Sequence, residues 1–133
     1  MKKSLLTIVS LILLLTFTSA SSSIMIDGKI GGTAPNFGLS NENSSLSLQQ
    51  LKGKYVLLSF WSSSDANSRI SNIKYDQFAK NANNAVTLIA VNYDRNSIIY
   101  QEIINRDKLQ KSSQFYDLEG TESRIFKSYH LDQ

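Results

Sequence analysis

Two continuous apolar runs, each followed by residues at helical spacing, predict an α/β fold. Tyr55-Val56-Leu57-Leu58-Ser59-Phe60-Trp61 and Val86-Thr87-Leu88-Ile89-Ala90-Val91 are short and rich in β-branched or aromatic residues, as expected of strands buried on both faces. Ile70, Ile73, Tyr75 and Phe78 follow the first run, and Ile98, Ile99, Glu102, Ile103 and Ile104 follow the second. Such alternation builds a mostly parallel sheet with right-handed crossovers and helices on its faces. With 133 residues, 41% of them hydrophobic, the chain is long enough for one domain and too short for two.

Residues 1–20 predict a secretory signal. Lys2 and Lys3 precede an apolar run over residues 5–17, and small side chains at Thr18 and Ala20 suit cleavage after Ala20. The run is shorter than the roughly 20 residues that span a bilayer. An uncleaved membrane-associated helix is the other reading of this segment, although no stop-transfer pattern follows it. With cleavage, the mature chain is periplasmic or extracellular, with no membrane association, and its short Lys-Lys start suggests a bacterial source.

Residues 21–32 read as a polar tether around Ile24-Met25-Ile26, which has the character of a short edge strand. The domain is expected over residues 33–133. It opens with a hairpin, because apolar residues 37–39 and 46–48 flank the turn-forming Ser40-Asn41-Glu42-Asn43-Ser44. Lys52-Gly53-Lys54 breaks the pattern before the first long strand. Asp65 is a good N-cap for a helix that ends near residues 81–84, and the polar residues 92–96 form the turn before the second helix. Gln114-Phe115-Tyr116 is a candidate short strand, residues 117–120 a turn, and residues 122–129 a last helix with Ile125, Phe126 and Tyr129 on one side.

Composition excludes several functions. There is no cysteine, so this chain forms no disulfide, thiolate nucleophile, cysteine-ligated metal site or lipoprotein anchor. His130 is the single histidine, which argues against a histidine-rich metal site or a His-based triad. Setting Lys2 and Lys3 aside leaves 12 basic residues against 11 acidic, a balance of +1, with no basic cluster. The pI near 9.2 is therefore no sign of a nucleic-acid partner.

Four features in fixed order carry a family resemblance: Gly32-Thr33-Ala34-Pro35-Asn36-Phe37, Leu51-Lys52-Gly53-Lys54-Tyr55-Val56-Leu57-Leu58, Phe60-Trp61-Ser62-Ser63-Ser64, and the helix opening Asp65-Ala66-Asn67-Ser68-Arg69. Together, over about residues 30–131, they resemble the thioredoxin-like superfamily, in its exported TlpA-like and AhpC/TSA (redoxin) branch. The resemblance implies a thioredoxin-like fold in which the aromatic strand runs into a Cys-x-x-Cys, where the helix N-terminus stabilises the attacking thiolate. Asp65 and Ser68 occupy the two cysteine positions, with Arg69 as the basic residue that often follows. Neither a carboxylate nor an alcohol forms a mixed disulfide or a sulfenic acid, so the family's thiol and peroxidase chemistries are excluded.

The family also continues, past a segment like Phe126-Lys127-Ser128-Tyr129-His130-Leu131, into a cis-proline turn, a hairpin and a final helix. Pro35 is the only proline here and the sequence ends at Gln133, so the expected fold is C-terminally shortened: βαβα, a short last helix and the N-terminal hairpin. The strand over residues 55–60 should then lack a neighbour and present an apolar edge. Either the gene product is truncated, or another chain completes the sheet by strand addition.

The functional expectation is a redox-inactive binding or assembly module without catalytic residue, cofactor or metal. Its partner would be a protein, either on the open edge or on a surface formed by Trp61, Ser64, Asp65, Ser68 and Arg69. Asp65 serves there as a simple cap or as a charge standing in for the family's thiolate, with Ser68 a solvated first-turn residue. Two other readings are a redox component whose thiols come from a partner chain, and a non-functional fragment. Other constellations have bland readings: Phe60 and Trp61 as core aromatics rather than a stacking platform, Tyr93-Asp94-Arg95 as a turn at a strand's carboxyl end, Asp117, Glu119 and Glu122 as a solvated acidic turn, and His130 as a surface residue.

Overall fold

The computed structural model describes residues 30–41 and 45–132; the segment expected to be a signal, most of the expected tether and residues 42–44 lie outside the described residues. β1 (Gly38–Ser40) and β2 (Ser45–Ser47) pair antiparallel, with Leu39 opposite Leu46. A 3-10 turn and Gly53, at φ +83°, lead to β3 (Tyr55–Trp61). The chain continues through α1 (Ala66–Asn81), β4 (Val86–Asn92), α2 (Ser97–Arg106), β5 (Gln114–Tyr116) and α3 (Arg124–Ser128). The second sheet is parallel, in the order β3-β4-β5. Thus the expected α/β architecture is present, and β3 stands at an edge with β4 as its one partner among the described strands.

Apolar clusters lie on both sides of the parallel sheet. Trp61, Leu88, Ala90, Tyr100, Ile103, Ile104 and Leu109 pack on the side of α1 and α2. Phe37, Leu39, Leu51, Ile89, Val91 and Phe115 pack with the hairpin and α3 on the other. β4 is the strand buried on both faces, with Leu88 through Asn92 all buried. β3 departs from expectation: Tyr55 is 81% exposed, and Val56, Leu57, Leu58 and Phe60 are half-buried. The cause is its edge position.

The helices also turn differently from the expected stripes. On α1, Ile70 and Phe78 are more than half exposed and Tyr75 is exposed, while Asn72 and Asp76 are buried. The polar side faces the segment between α2 and β5. Arg69 donates Nε and Nη2 to the Asp107 carboxylate at 2.7 and 2.5 Å, Asn72 Nδ2 donates to Gln114 Oε1 at 3.0 Å, and Asp76 Oδ1 accepts from the Gln110 N–H at 3.0 Å. Lys80 pairs with Asp76 at 2.6 Å and donates to the Lys108 carbonyl. Of the expected stripe, Ile73 alone packs into the core, joined by Ala79. On α2, Tyr100, Ile103 and Ile104 face inward while Ile98 and Ile99 stay in water beside the Asn96 cap.

The Asn72–Gln114 pair is buried and only partly satisfied, because Asn72 Oδ1 and Gln114 Nε2 have no partner among the described residues. Leaving the Gln114 amide alone costs its full desolvation, about 1–3 kcal/mol, whereas removing both amides restores a consistent apolar contact. Asn72→Leu should therefore lose about 1–3 kcal/mol in urea unfolding, and Asn72→Leu with Gln114→Leu should recover most of it. The fluorescence of Trp61, the single tryptophan and fully buried, reads both transitions.

Candidate functional site

The carboxyl ends of β3 and β4 lie side by side, because Trp61 pairs with Asn92 in the parallel register. The link from β3 to α1, residues 62–64, therefore passes next to Tyr93 and Asp94. Three consecutive serines have no preferred conformation of their own, and here a carboxylate supplies one. Asp94 accepts from the Ser62 hydroxyl in a short bond, from the Ser63 N–H at 3.0 and 3.1 Å through its two oxygens, and from Asn92 Nδ2 at 3.0 Å. Since the Ser62 proton goes to Asp94, Ser64 Oγ donates to Ser62 Oγ at 2.8 Å. Burial pushes the Asp94 carboxyl upward, but the hydrogen bonds from Ser62, Asn92 and Ser63 outweigh it and hold the group below its ordinary value.

The helix opening is closed by the same logic. Asp65 is the N-cap and accepts from the Asn67 N–H at 3.0 Å. Ser68 is half-buried and engaged rather than solvated: its Oγ donates to the Asp65 carbonyl at 3.1 Å and accepts from the Ser62 N–H at 3.2 Å. The Ser64 N–H goes to Ser62 Oγ, and the Asp65 N–H to the Ser62 carbonyl. Five backbone donors that would otherwise greet an anion are thus spent within the loop. Ser62 touches a carboxylate, but it is buried, and Asp94 is a weakened base. The arrangement fixes the loop.

Of the five residues expected to form a partner surface, four lie around this opening. Ser64 and Asp65 are exposed, and Ser68 and Arg69 half-buried, the Arg69 guanidinium being held by Asp107. Trp61 is a correction: it is 0% exposed, packed near Tyr100 with ring centroids 6.0 Å apart, and offers nothing to a partner. It is core, because the last residue of β3 points under α1. Sequence reasoning underrated Asp94, which stands 32 positions from Ser62 and carries no local signature.

The other candidates separate. The hydroxyl of the neighbouring Tyr93 is pushed up by burial and then by the charges of Asp65 and Asp94, so it stays protonated. Its carbonyl lies 3.1 Å from where a Cβ on Gly120 would sit, and Gly120 holds φ +55°, so the turn needs glycine there. Asp117 is buried and accepts from the Glu119 N–H, while Glu122 pairs with Lys127. They form no metal-binding group among the described residues. His130 is exposed. A cavity of about 850 Å³, lined by Lys54, Tyr55, Asn84, Thr87 and Gln110 among others, opens at the amino ends of the strands, away from Asp65.

Replacing Asp94 tests what orders the loop. An amide offers one acceptor oxygen to these donors, so Asp94→Asn should cost about 1–3 kcal/mol at pH 7. A carboxyl depressed on folding contributes stability above its unfolded value, about 3.9, and loses it as pH falls through the lower folded value. Urea titrations should therefore show the gap between wild type and Asp94→Asn narrowing below about pH 4.

No family model and no curated protein matches the chain. Solved structures do. A thioredoxin-like protein from Parabacteroides distasonis is 32% identical, with a TM-score of 0.58, over 60% of each chain, so this chain spans less than two thirds of that protein's length. The thioredoxin domain of a thiol-disulfide oxidoreductase from Bacteroides vulgatus is 27% identical, with a TM-score of 0.64, over 75% of this chain and 72% of that one. A thiol-disulfide oxidoreductase from Bacteroides fragilis gives 25% and 0.64 over 76% and 77%. The chain therefore has a thioredoxin-like fold, similar to that of bacterial thiol-disulfide oxidoreductases, and carries no cysteine with which to perform their namesake reaction.

Proposed function

We propose that this chain is an exported thioredoxin-like domain that works without thiols, as a redox-inactive protein-binding or assembly module. The observation that carries the reading is the closed helix opening. Where the resemblance implies paired cysteines, Asp65 caps the helix at the Asn67 N–H, and Ser68 bridges the Ser62 N–H and the Asp65 carbonyl, so both side chains are engaged within the loop. What remains in water is a small acidic surface of Ser64 and Asp65, bordered by Ser68 and Arg69. Export is supported by the three-part segment over residues 1–20. No helix among the described residues is long and apolar enough to cross a membrane.

Asn caps a helix about as well as Asp, so Asp65→Asn removes the charge while keeping the cap. Capture of envelope proteins through a photo-crosslinker at Ser64 should fall several-fold in Asp65→Asn at an unchanged melting temperature. Equal capture removes the carboxylate from the reading. Bacterial envelope fractions should reduce a model disulfide at the same rate with and without added protein; a rise would favour a complex in which a partner supplies the thiols.

A further inference from the structure

Among the described residues, the edge of β3 away from β4 pairs with no strand. In a parallel pair, alternate residues turn both backbone groups to the same neighbour. The Trp61 carbonyl accepts from the Tyr93 N–H, so Tyr55, Leu57, Ser59 and Trp61 bond towards β4, and Val56, Leu58 and Phe60 turn their N–H and C=O groups outward. The strand Tyr55–Trp61 has none of the usual protections of a free edge, lacking charge, proline, glycine and bulge over its 7 residues. Its outward residues are half-buried and all lie on the hairpin face, in the cluster with Phe37 and Val91.

We infer that two copies join through these edges, antiparallel about a two-fold axis at Leu58, to make one continuous sheet. Among registers that oppose outward residues, this one uses all three: Leu58 meets Leu58, and Val56 meets Phe60, in about six backbone hydrogen bonds. Apolar side chains then face each other across the junction on one side of the sheet.

Charge selects the orientation. The exposed Lys52 and Lys54 stand at the start of β3, and Asp65 and Asp94 at its end. Antiparallel pairing brings Lys54 opposite the second copy's Ser62, whose hydroxyl touches Asp94. Parallel pairing would set basic against basic and acidic against acidic. This inference goes beyond the binding-module reading, and it stands on sheet order and charge alone.

The test is sedimentation of the protein purified from the envelope of an expressing bacterium, from 1 to about 100 µM. A dimer is expected. Because the chain has no cysteine, Tyr55→Cys takes a single spin label, and the two labels should lie about 20 Å apart, six strand residues across the axis. Leu58→Pro removes an outward N–H and leaves the β4 ladder intact, so it should sediment as a monomer with unchanged near-UV dichroism. Should that variant misfold, Lys52→Glu with Lys54→Glu keeps the strand and should weaken association at least tenfold. A wild-type monomer at about 100 µM, a label separation far from about 20 Å, or a dimer indifferent to the charge reversal overturns the inference.

Discussion

The parallel ladder between β3 and β4 is the constraint from which the rest of the molecule follows. Parallel neighbours cannot be joined by a tight turn, so the chain must leave the end of β3, cross over as a helix and return at Val86. That requirement places residues 62–64 beside the end of β4, makes Asp65 the entry to the helix, and lays α1 over the sheet next to whatever precedes β5. What precedes β5 is polar. Asp107, the Gln110 backbone and Gln114 therefore meet Arg69, Asp76 and Asn72, and the helix rolls its isoleucine and phenylalanine outward to let them.

The same geometry sets the electrostatics of the helix opening. A thiolate or any other anionic nucleophile wants positive potential around it, from a helix N-terminus or a nearby cation. Here two carboxylates, Asp65 and Asp94, flank the opening, the Tyr93 phenol between them is kept neutral, and Arg69 is turned away to Asp107. Both carboxylates act on the Tyr93 phenol in the same direction as its burial. The chain has no sulfur at this opening, and the loop's hydrogen bonds maintain its shape.

Much of this was legible in the sequence, and the exceptions have physical causes. The long strands, the Asp65 cap and the break at Gly53 followed from local patterns, and the β3 edge, unpaired among the described strands, from the resemblance. The orientation of α1 did not, because periodicity says which residues share a face and leaves open which face the fold will bury. The half-exposure of β3 follows from the edge that the resemblance implied, whereas the apolar run by itself looks the same at the centre of a sheet and at its edge. Asp94 was illegible because its meaning lies in Ser62 and Ser63, more than 30 residues away. Trp61 was readable as core, yet its neighbours drew it into the surface list, from which its complete burial removes it.

The polar docking of α1 also bears on how the molecule responds to heat and cold. The heat capacity gained on unfolding rises with the apolar area newly wetted and falls with the polar area. Ile70 and Phe78 are already largely wet in the native state, while Asn72 and Asp76 become wet only on unfolding. This helix therefore adds little to the heat-capacity increment. The free energy of the domain should bend less with temperature than if an apolar stripe held the helix down, making its stability curve broader and flatter.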